Sequence, residues 1–198
     1  MVGVTNRFVS KIMRGVTIMY EAIVFLTDGF EEIEAIATLD ILRRGGVNAA
    51  SVSLTGEKIV TGARGIAITA DLIFDDLTTV DFAMLILPGG PGTQNYKKHE
   101  ILLELLRIHH SKGYPLAAIC AAPTIFGMLG LLKDKAAVCY PTLESELGAR
   151  EISPLTTITD GNITTSRSPG TSIEFALEIV RTIKGSPEAA KVAEGLLV

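Results

Sequence analysis

The sequence predicts an α/β fold in which a mostly parallel sheet carries helices on both faces. From Met19 onward, short apolar runs alternate with segments of helical periodicity, as in chains built from βαβ units. Such apolar runs suit strands that are buried on both faces of a parallel sheet. The composition, 47% hydrophobic and 20% charged, supports a packed core and excludes intrinsic disorder. A chain of 198 residues is expected to form one such domain.

The predicted strands and helices alternate along the chain. Strands are predicted at residues 22–27, 47–54, 82–87, 116–120 and 136–139, followed by the pair 157–159 and 163–166. Helices are predicted at residues 31–44, 101–111, 122–132, 172–184 and 187–196. Gly45 and Gly46 end the first helix, and Thr171 with Glu174 matches a capping box at the start of the fourth. Residues 57–68 are predicted to form a short β-hairpin.

The first 18 residues differ from the rest of the chain. They contain Arg7, Lys11 and Arg14, and no acidic residue precedes Glu21. We interpret residues 1–18 as a tail outside the fold, with an organellar targeting sequence as the alternative. Residues 19–198 are then the single folded domain.

The net charge and the cysteine content indicate which partners and which compartment to expect. The net charge of -4 has the wrong sign for general nucleic-acid binding, and no run approaches the ~18 apolar residues of a membrane span. Two cysteines are too few for a disulfide framework, which favours a reducing compartment. We therefore expect a cytoplasmic protein with neither a nucleic-acid partner nor a membrane partner.

Four polar or glycine-rich junctions follow predicted strands. Because ligands of open α/β sheets sit at the carboxyl ends of the strands, these junctions are candidate walls of one site. They are residues 28–34, 88–92, 120–123 and 166–171.

Cys120 is the strongest candidate for chemistry. It lies between a predicted strand and a predicted helix, the corner at which α/β hydrolases place their nucleophile. At a helix N-terminus we expect a lowered thiol pKa. The alternative is that Cys120 is a buried apolar residue. Cys139 is predicted to lie inside a strand and to be structural.

A reactive thiol needs a proton partner. His99, His109 and His110 lie in one helix-like stretch, and we expect them to face solvent. Glu34 is the alternative, since a glutamate buried beside a cysteine has a raised pKa and can shuttle a proton. Glu31 and Glu32, in the same first helical turn, are interpreted as acids that interact with the helix dipole.

Backbone N–H groups are candidates for stabilising an oxyanion. Gly89 and Gly90 follow a predicted strand, and the N–H of Ala121 follows the candidate nucleophile. A simple glycine turn is the alternative. The glycines match neither a dinucleotide-binding nor a P-loop motif, and no Cys/His cluster has zinc spacing. We therefore expect neither a metal nor another cofactor.

Taken together, the junctions resemble the ThiJ/PfpI superfamily, most closely the branch that contains Parkinson disease protein 7. The motifs are D-G-F-E-E-I-E from residue 28, L-P-G-G from residue 87, A-I-C-A-A-P from residue 118 and T-S-R-S-P-G-T-S from residue 165. They occur in the family's order, and the resemblance covers residues 20–197. It implies a flavodoxin-like α/β sandwich, a homodimer, and a glyoxalase or deglycase activity; redox sensing and holdase chaperoning are the alternatives.

The resemblance also implies roles for individual residues. Cys120 matches the family nucleophile and Glu34 the protonated glutamate beside it, while Gly90 and Ala121 match the oxyanion donors. Residues that match positions in the pocket or at the dimer interface are Arg44, Arg64, Asp40 and Pro169.

This sequence departs from the family at position 140. Some relatives have a histidine there, directly before a proline and paired with the aspartate that Asp40 matches, whereas this chain has Tyr140 before Pro141. A mechanism that uses this histidine as a base is therefore not expected. Ala121 in place of a histidine argues against the protease branch, and no histidine follows His110, which argues against glutamine amidotransferases.

Overall fold

The computed structural model describes residues 20–77, 79 and 81–198, so the interpretation of residues 1–18 lies outside the described part. The strands are β1 (Ala22–Leu26), β2 (Ala49–Ser53), β3 (Ile59–Thr61), β4 (Ala67–Thr69), β5 (Leu72–Ile73), β6 (Met84–Leu87), β7 (Leu116–Ile119), β8 (Ala136–Ala137), β9 (Glu151–Ile152), β10 (Thr157–Asp160) and β11 (Ile163–Ser166). The α-helices are α1 (Glu32–Arg44), α2 (Thr93–Tyr96), α3 (Glu100–Ser111), α4 (Pro123–Met128), α5 (Ser172–Lys184) and α6 (Ser186–Leu196).

A seven-stranded sheet forms the centre of the domain, in the order β10-β11-β7-β6-β1-β2-β5. Every pairing in it is parallel except that of β10 with β11. The predicted α/β class with a mostly parallel sheet is therefore confirmed. Because the strands are parallel, the junctions that follow β1, β6, β7 and β11 meet at one edge of the sheet.

Each face of the sheet has its own apolar core. Successive residues of β1 point to opposite faces of the sheet. Ile23 and Phe25 pack in the core that α3 and α4 cover. Val24 and Leu26 pack in the core that α1 and α5 cover. This division explains why the strands are continuously apolar, since both faces of the sheet are covered.

Several sequence predictions are corrected by the structure. Residues 136–139 do not form a strand of the central sheet: only Ala136–Ala137 is extended, and it pairs with β9 in a separate two-stranded sheet. Thr171 is the N-cap of α5 but makes no capping bond, because its hydroxyl is bound to Ser168 and Ser166. Glu174 instead accepts a hydrogen bond from Thr156.

The hairpin at residues 57–68 is observed as β3 paired with β4, ending one residue later than predicted. The helix predicted at residues 122–132 is shorter than expected and spans Pro123–Met128. No helix in the described part of the chain is long and apolar enough to span a membrane.

The histidines do not all face solvent. His109 is 1% exposed, and its Nε2 lies 3.0 Å from the carbonyl oxygen of Pro115. Burial lowers the pKa of His109 to about 4. Its partner Pro115 directly precedes β7, so His109 lies at the opposite end of that strand from Cys120.

Tyr96 joins the ends of two central strands. Its fully buried hydroxyl lies 3.1 Å from the carbonyl oxygens of both Phe25 in β1 and Pro88 after β6, and donates its proton to this pair. The bond fixes the starting points of the two loops that lead to the candidate site.

We predict that Tyr96→Phe lowers the free energy of unfolding by about 1–3 kcal/mol, because it leaves two buried carbonyl oxygens without this donor. Urea unfolding of the variant and the wild type measures the difference. Tyr114→Phe, at a side chain that is 38% exposed, is the control and should change the stability little. Equal stabilities of Tyr96→Phe and the wild type would contradict the assignment.

Candidate active site

Cys120 occupies the turn between β7 and α4, as the sequence predicted, and its backbone is strained. Its φ angle is 63°, in the left-handed region that costs a non-glycine residue roughly 1–2 kcal/mol. Two hydrogen bonds hold this conformation: the Cys120 N–H donates to Ser166 O at 2.9 Å, and the Cys120 carbonyl accepts from the Tyr140 N–H at 2.7 Å. Backbone strain of this kind is typical of a nucleophile elbow.

Glycines allow the loop after β6 to pack backbone to backbone between the elbow and the loop after β1. A Cβ atom at Gly89 would lie 2.8 Å from the Cβ of Cys120, so only glycine fits behind the thiol. Gly90 has a φ of 91°, and a Cβ there would lie 2.6 Å from Gly29 O. The loop after β6 is thus wedged between Cys120 and the loop after β1.

Glu34 reaches the same point from the first turn of α1. Its side chain is fully buried, and Oε2 accepts a hydrogen bond of 2.7 Å from the Gly89 N–H. The carboxyl group also interacts with the thiol of Cys120, and this contact affects the pKa of both groups. Oε1 has no hydrogen-bond partner in the described part of the chain. Glu31 supports this turn as the N-cap, accepting the Glu34 N–H at 2.8 Å.

Burial determines the protonation of the pair. It raises the pKa of Glu34 to about 7, as the sequence led us to expect. Burial, followed by the negative charge of Glu34, also raises the pKa of Cys120 to about 12. The expected lowering of the thiol pKa by a helix N-terminus is therefore wrong, since desolvation outweighs the effect of a helix of only six residues.

The two predicted oxyanion donors converge on the sulfur. The N–H groups of Gly90 and Ala121 both interact with the Cys120 thiol and act to lower its pKa. The elbow therefore combines a thiol with two backbone N–H groups and one carboxyl group that act on its charge. Nucleophilic chemistry requires such an arrangement of nucleophile, proton partner and anion stabiliser.

Glu32 has a structural part that its sequence position did not reveal. It is 4% exposed, and its Oε1 accepts a 2.6 Å hydrogen bond from the backbone N–H of Arg64 in the turn of the β3–β4 hairpin. Gly62 packs directly against the carboxyl group of Glu32. The hairpin is thereby fastened to the start of α1, with the Arg64 side chain exposed at its turn. Sequence spacing alone carries no signal for this contact across 32 residues.

The other predicted site residues are Asp40, Arg44, Tyr140 and Pro169, and they lie in three different segments of the chain. Asp40 and Arg44 pair with each other at 2.6 Å on the solvent-exposed side of α1, two to three turns beyond Glu34. The structure does not bring this pair to Cys120 within the protomer. Tyr140 contacts the elbow through its backbone, and its side chain is half-exposed. Pro169 begins the turn before α5, downstream of Ser166.

Other features lie away from the elbow. A depression of ≈ 470 Å³ is found at the opposite end of the strands, and its lining includes Glu21, Phe82 and Tyr114 but not Cys120. Cys139 is a buried free thiol in the core beside α4, whereas Cys120 belongs to the core on the other face. Among the described residues, no group of three His, Cys, Asp or Glu side chains could hold a metal ion.

Comparison with known proteins places the chain in a family. Residues 20–182 match the model of the DJ-1/PfpI family. The chain is 37% identical over 180 residues to Protein dj-1beta of Drosophila melanogaster, covering 89% of this chain and 96% of that protein. It is 34% identical over 158 residues to Glutathione-independent glyoxalase DJR-1.2 of Caenorhabditis elegans, covering 78% and 83%.

Solved structures of DJ-1 proteins support the same family assignment. The crystal structure of Drosophila melanogaster DJ-1beta superimposes with a TM-score of 0.86 at 35% identity, covering 91% of this chain and 99% of that one. Oxidized Toxoplasma gondii DJ-1 superimposes with a TM-score of 0.85 at 31% identity, covering 89% and 97%. The match over most of the chain, together with the shared fold, shows that this protein belongs to the DJ-1/PfpI family.

Proposed function

We propose that the chain is a glutathione-independent glyoxalase that converts methylglyoxal-like aldehydes to hydroxy acids through the thiol of Cys120. The observation that carries the proposal is the fully buried Glu34 carboxyl group, bonded at 2.7 Å to the N–H of Gly89, which packs directly against the strained Cys120 elbow. The charge of Glu34 and the N–H groups of Gly90 and Ala121 act on the pKa of the thiol. A relative that is 34% identical is named a glutathione-independent glyoxalase, which supports the same class of reaction here.

The pair holds its protons in a way that suits this chemistry. With a pKa of about 7 for Glu34 and about 12 for Cys120, the pair carries one negative charge and one proton over the pH range between them. When sulfur attacks the aldehyde carbon, the thiol proton passes to the Glu34 carboxylate. The alkoxide forms on the carbon now bonded to sulfur, beside the Gly90 and Ala121 N–H groups.

The remaining steps, a proton shift and the hydrolysis of a thioester, require only Glu34 and water. The alkoxide takes the proton from Glu34 to give a hemithioacetal, and the carboxylate then removes the proton from the former aldehyde carbon. Returning a proton to the adjacent carbon, through an enediolate, gives the thioester of lactate. This shift oxidises the aldehyde carbon and reduces the ketone carbon of one molecule. Water hydrolyses the thioester, releasing lactate and restoring the thiol of Cys120.

Deglycation is the second part of the same proposal. Early adducts of glyoxals with amines or thiols carry a similar electrophilic carbon, which the same nucleophile would attack. The substrate would then be a glycated small molecule or protein, and the elbow would play an unchanged role.

We further propose that the protein acts as a cytoplasmic homodimer. The two cysteines are free, as is usual in a reducing compartment. Exposed isoleucines on α1 and on the adjoining hairpin supply apolar surface for a second copy; they are Ile33, Ile36, Ile59 and Ile66.

Redox sensing by Cys120 is a second candidate function. The structure of oxidized Toxoplasma gondii DJ-1 superimposes on this chain, and an oxidised sulfur would find the same N–H donors and a protonated Glu34. When the thiol proton has passed to Glu34, peroxide would oxidise the thiolate first to a sulfenate and then to a sulfinate, and each step would reduce one peroxide to water.

The glyoxalase proposal predicts that Cys120→Ala abolishes lactate formation from methylglyoxal. Glu34→Gln should lower kcat by about 10²–10⁴, the usual contribution of a positioned acid–base group. Quantifying lactate by chromatography measures both effects. Glu57→Gln, at an exposed glutamate just before β3, is the matched control for Glu34→Gln and should keep wild-type turnover. Equal turnover by Cys120→Ala and wild type would refute the proposal.

The protonation of Glu34 predicts a pH dependence of stability. Because its pKa is raised from 4.5 to about 7, folded Glu34 keeps a proton that the unfolded chain loses over this range. Stability therefore falls as pH rises through this window, by about 3 kcal/mol for the shift of this group.

Glu34→Gln removes this contribution. Urea unfolding at pH values below and above the window should show a smaller loss of stability for Glu34→Gln than for the wild type. Exposed Glu57→Gln is the control and should follow the wild type. Since His109 and the other groups titrate in every variant, their effects cancel in the comparison; identical curves for Glu34→Gln and wild type would show that Glu34 titrates normally.

The sensor proposal predicts that mild peroxide adds two oxygen atoms to Cys120. Peptide mass spectrometry after a peroxide titration locates the modification. Cys139 should remain unmodified at the same dose because its thiol is only 1% exposed. Oxidation confined to Cys139 or to methionines would exclude the sensor role.

A further inference from the structure

The strained elbow depends on two hydrogen bonds from outside β7. The N–H of Cys120 is held by Ser166 at the end of β11, a neighbouring strand of the central sheet. The carbonyl of Cys120 is held by the N–H of Tyr140 at 2.7 Å. The bond to Ser166 is fixed because β11 and β7 are neighbouring strands of the sheet. The bond from Tyr140 has no such support, and its position depends on what holds the segment around Tyr140.

That segment, residues 138–140, lies outside every strand of the central sheet. The N–H of Val138 donates a buried hydrogen bond of 3.0 Å to the hydroxyl oxygen of Thr165 in β11. Thr165 is 1% exposed and Val138 is 4% exposed, so water does not replace this bond. The hydroxyl oxygen of Thr165 thus connects the segment directly to the strand beside the elbow.

We propose that Thr165 is a positioning residue for Cys120. Its hydroxyl fixes Val138, the following residues carry the Tyr140 N–H, and that N–H holds the Cys120 carbonyl and with it the left-handed turn. The proposal rests on Cys120 as the nucleophile of the proposed function and names a further residue on which that nucleophile depends. Without the hydroxyl, the sulfur shifts relative to Glu34 and to its two N–H donors.

The neighbouring Thr164 offers a matched comparison. It lies in the same strand, is also 1% exposed, and its hydroxyl is also hydrogen-bonded, 2.9 Å from the Thr159 hydroxyl. That bond joins β11 to the edge strand β10, away from the segment at Tyr140. Replacing either threonine by valine removes one buried hydroxyl of nearly the same shape, but only Thr165 is connected to the elbow.

The test is the alkylation rate of Cys120 by iodoacetamide, followed on its own peptide by mass spectrometry from about pH 6 to about pH 10. This readout is independent of any aldehyde turnover, so failure of the glyoxalase proposal leaves it intact. We expect Thr165→Val to change the rate constant at least tenfold, since misplacements of about 1 Å have effects of that size or larger. The pH profile should be displaced as well.

Two further variants complete the design. Thr164→Val should keep the wild-type rate and pH profile, and Thr165→Ser should restore both because it keeps the hydroxyl. If Thr165→Val does not fold, the pair Thr165→Ala and Thr165→Ser makes the same comparison, with only the alanine variant altered. A wild-type profile for the variant lacking the hydroxyl, or the same change in Thr164→Val or Thr165→Ser, would overturn the proposal.

Discussion

The buried hydrogen bond from the Gly89 N–H to Glu34 is the interaction on which the site depends. It joins the first turn of α1 to the loop after β6 at the point where that loop passes behind Cys120. A Cβ atom at Gly89 would collide with the Cβ of Cys120 and with the backbone of the elbow. The hydrogen bond therefore brings an acid and a nucleophile from distant parts of the chain together in a place that excludes water. Tyr96 reinforces the arrangement by holding the ends of β1 and β6.

Placing an ionisable carboxyl group inside the core has opposite consequences for stability and chemistry. Burial disfavours the carboxylate, so the folded state loses stability as Glu34 ionises. The same burial brings the pKa of the acid close to neutral pH, where an acid–base group exchanges protons most effectively. The strain at Cys120 is a second local cost at the same site. The burial of the two apolar cores offsets both losses of stability.

The sequence predicted much of this arrangement, and its failures have physical reasons. The elbow at Cys120 was predictable because it follows from a strand-to-helix junction. Glu34 was predicted as its partner from the family resemblance, because local spacing places it only in the first turn of a helix. Residues 136–139 look like a buried strand, but only Ala136–Ala137 forms one, and it pairs with β9 rather than with the central sheet. Pairing between distant segments leaves no local pattern. The buried contacts of Glu32 with Arg64 and of Thr165 with Val138 were missed for the same reason. The predicted direction of the Cys120 pKa shift was wrong. A sequence motif reveals the helix N-terminus, which lowers a thiol pKa, but not the burial that raises it.

Residue 140 supports the elbow through its backbone and not through its side chain. The resemblance to the family implied a histidine at this position in some members, but the elbow of this chain depends on the backbone N–H, which every residue except proline supplies. Tyr140 therefore leaves the support of Cys120 intact while removing a possible base. Asp40, the partner that the resemblance implies for such a histidine, is paired with Arg44 on the exposed side of α1. In the proposed mechanism, proton transfer at the sulfur therefore falls to Glu34, the carboxyl group whose charge acts on the thiol.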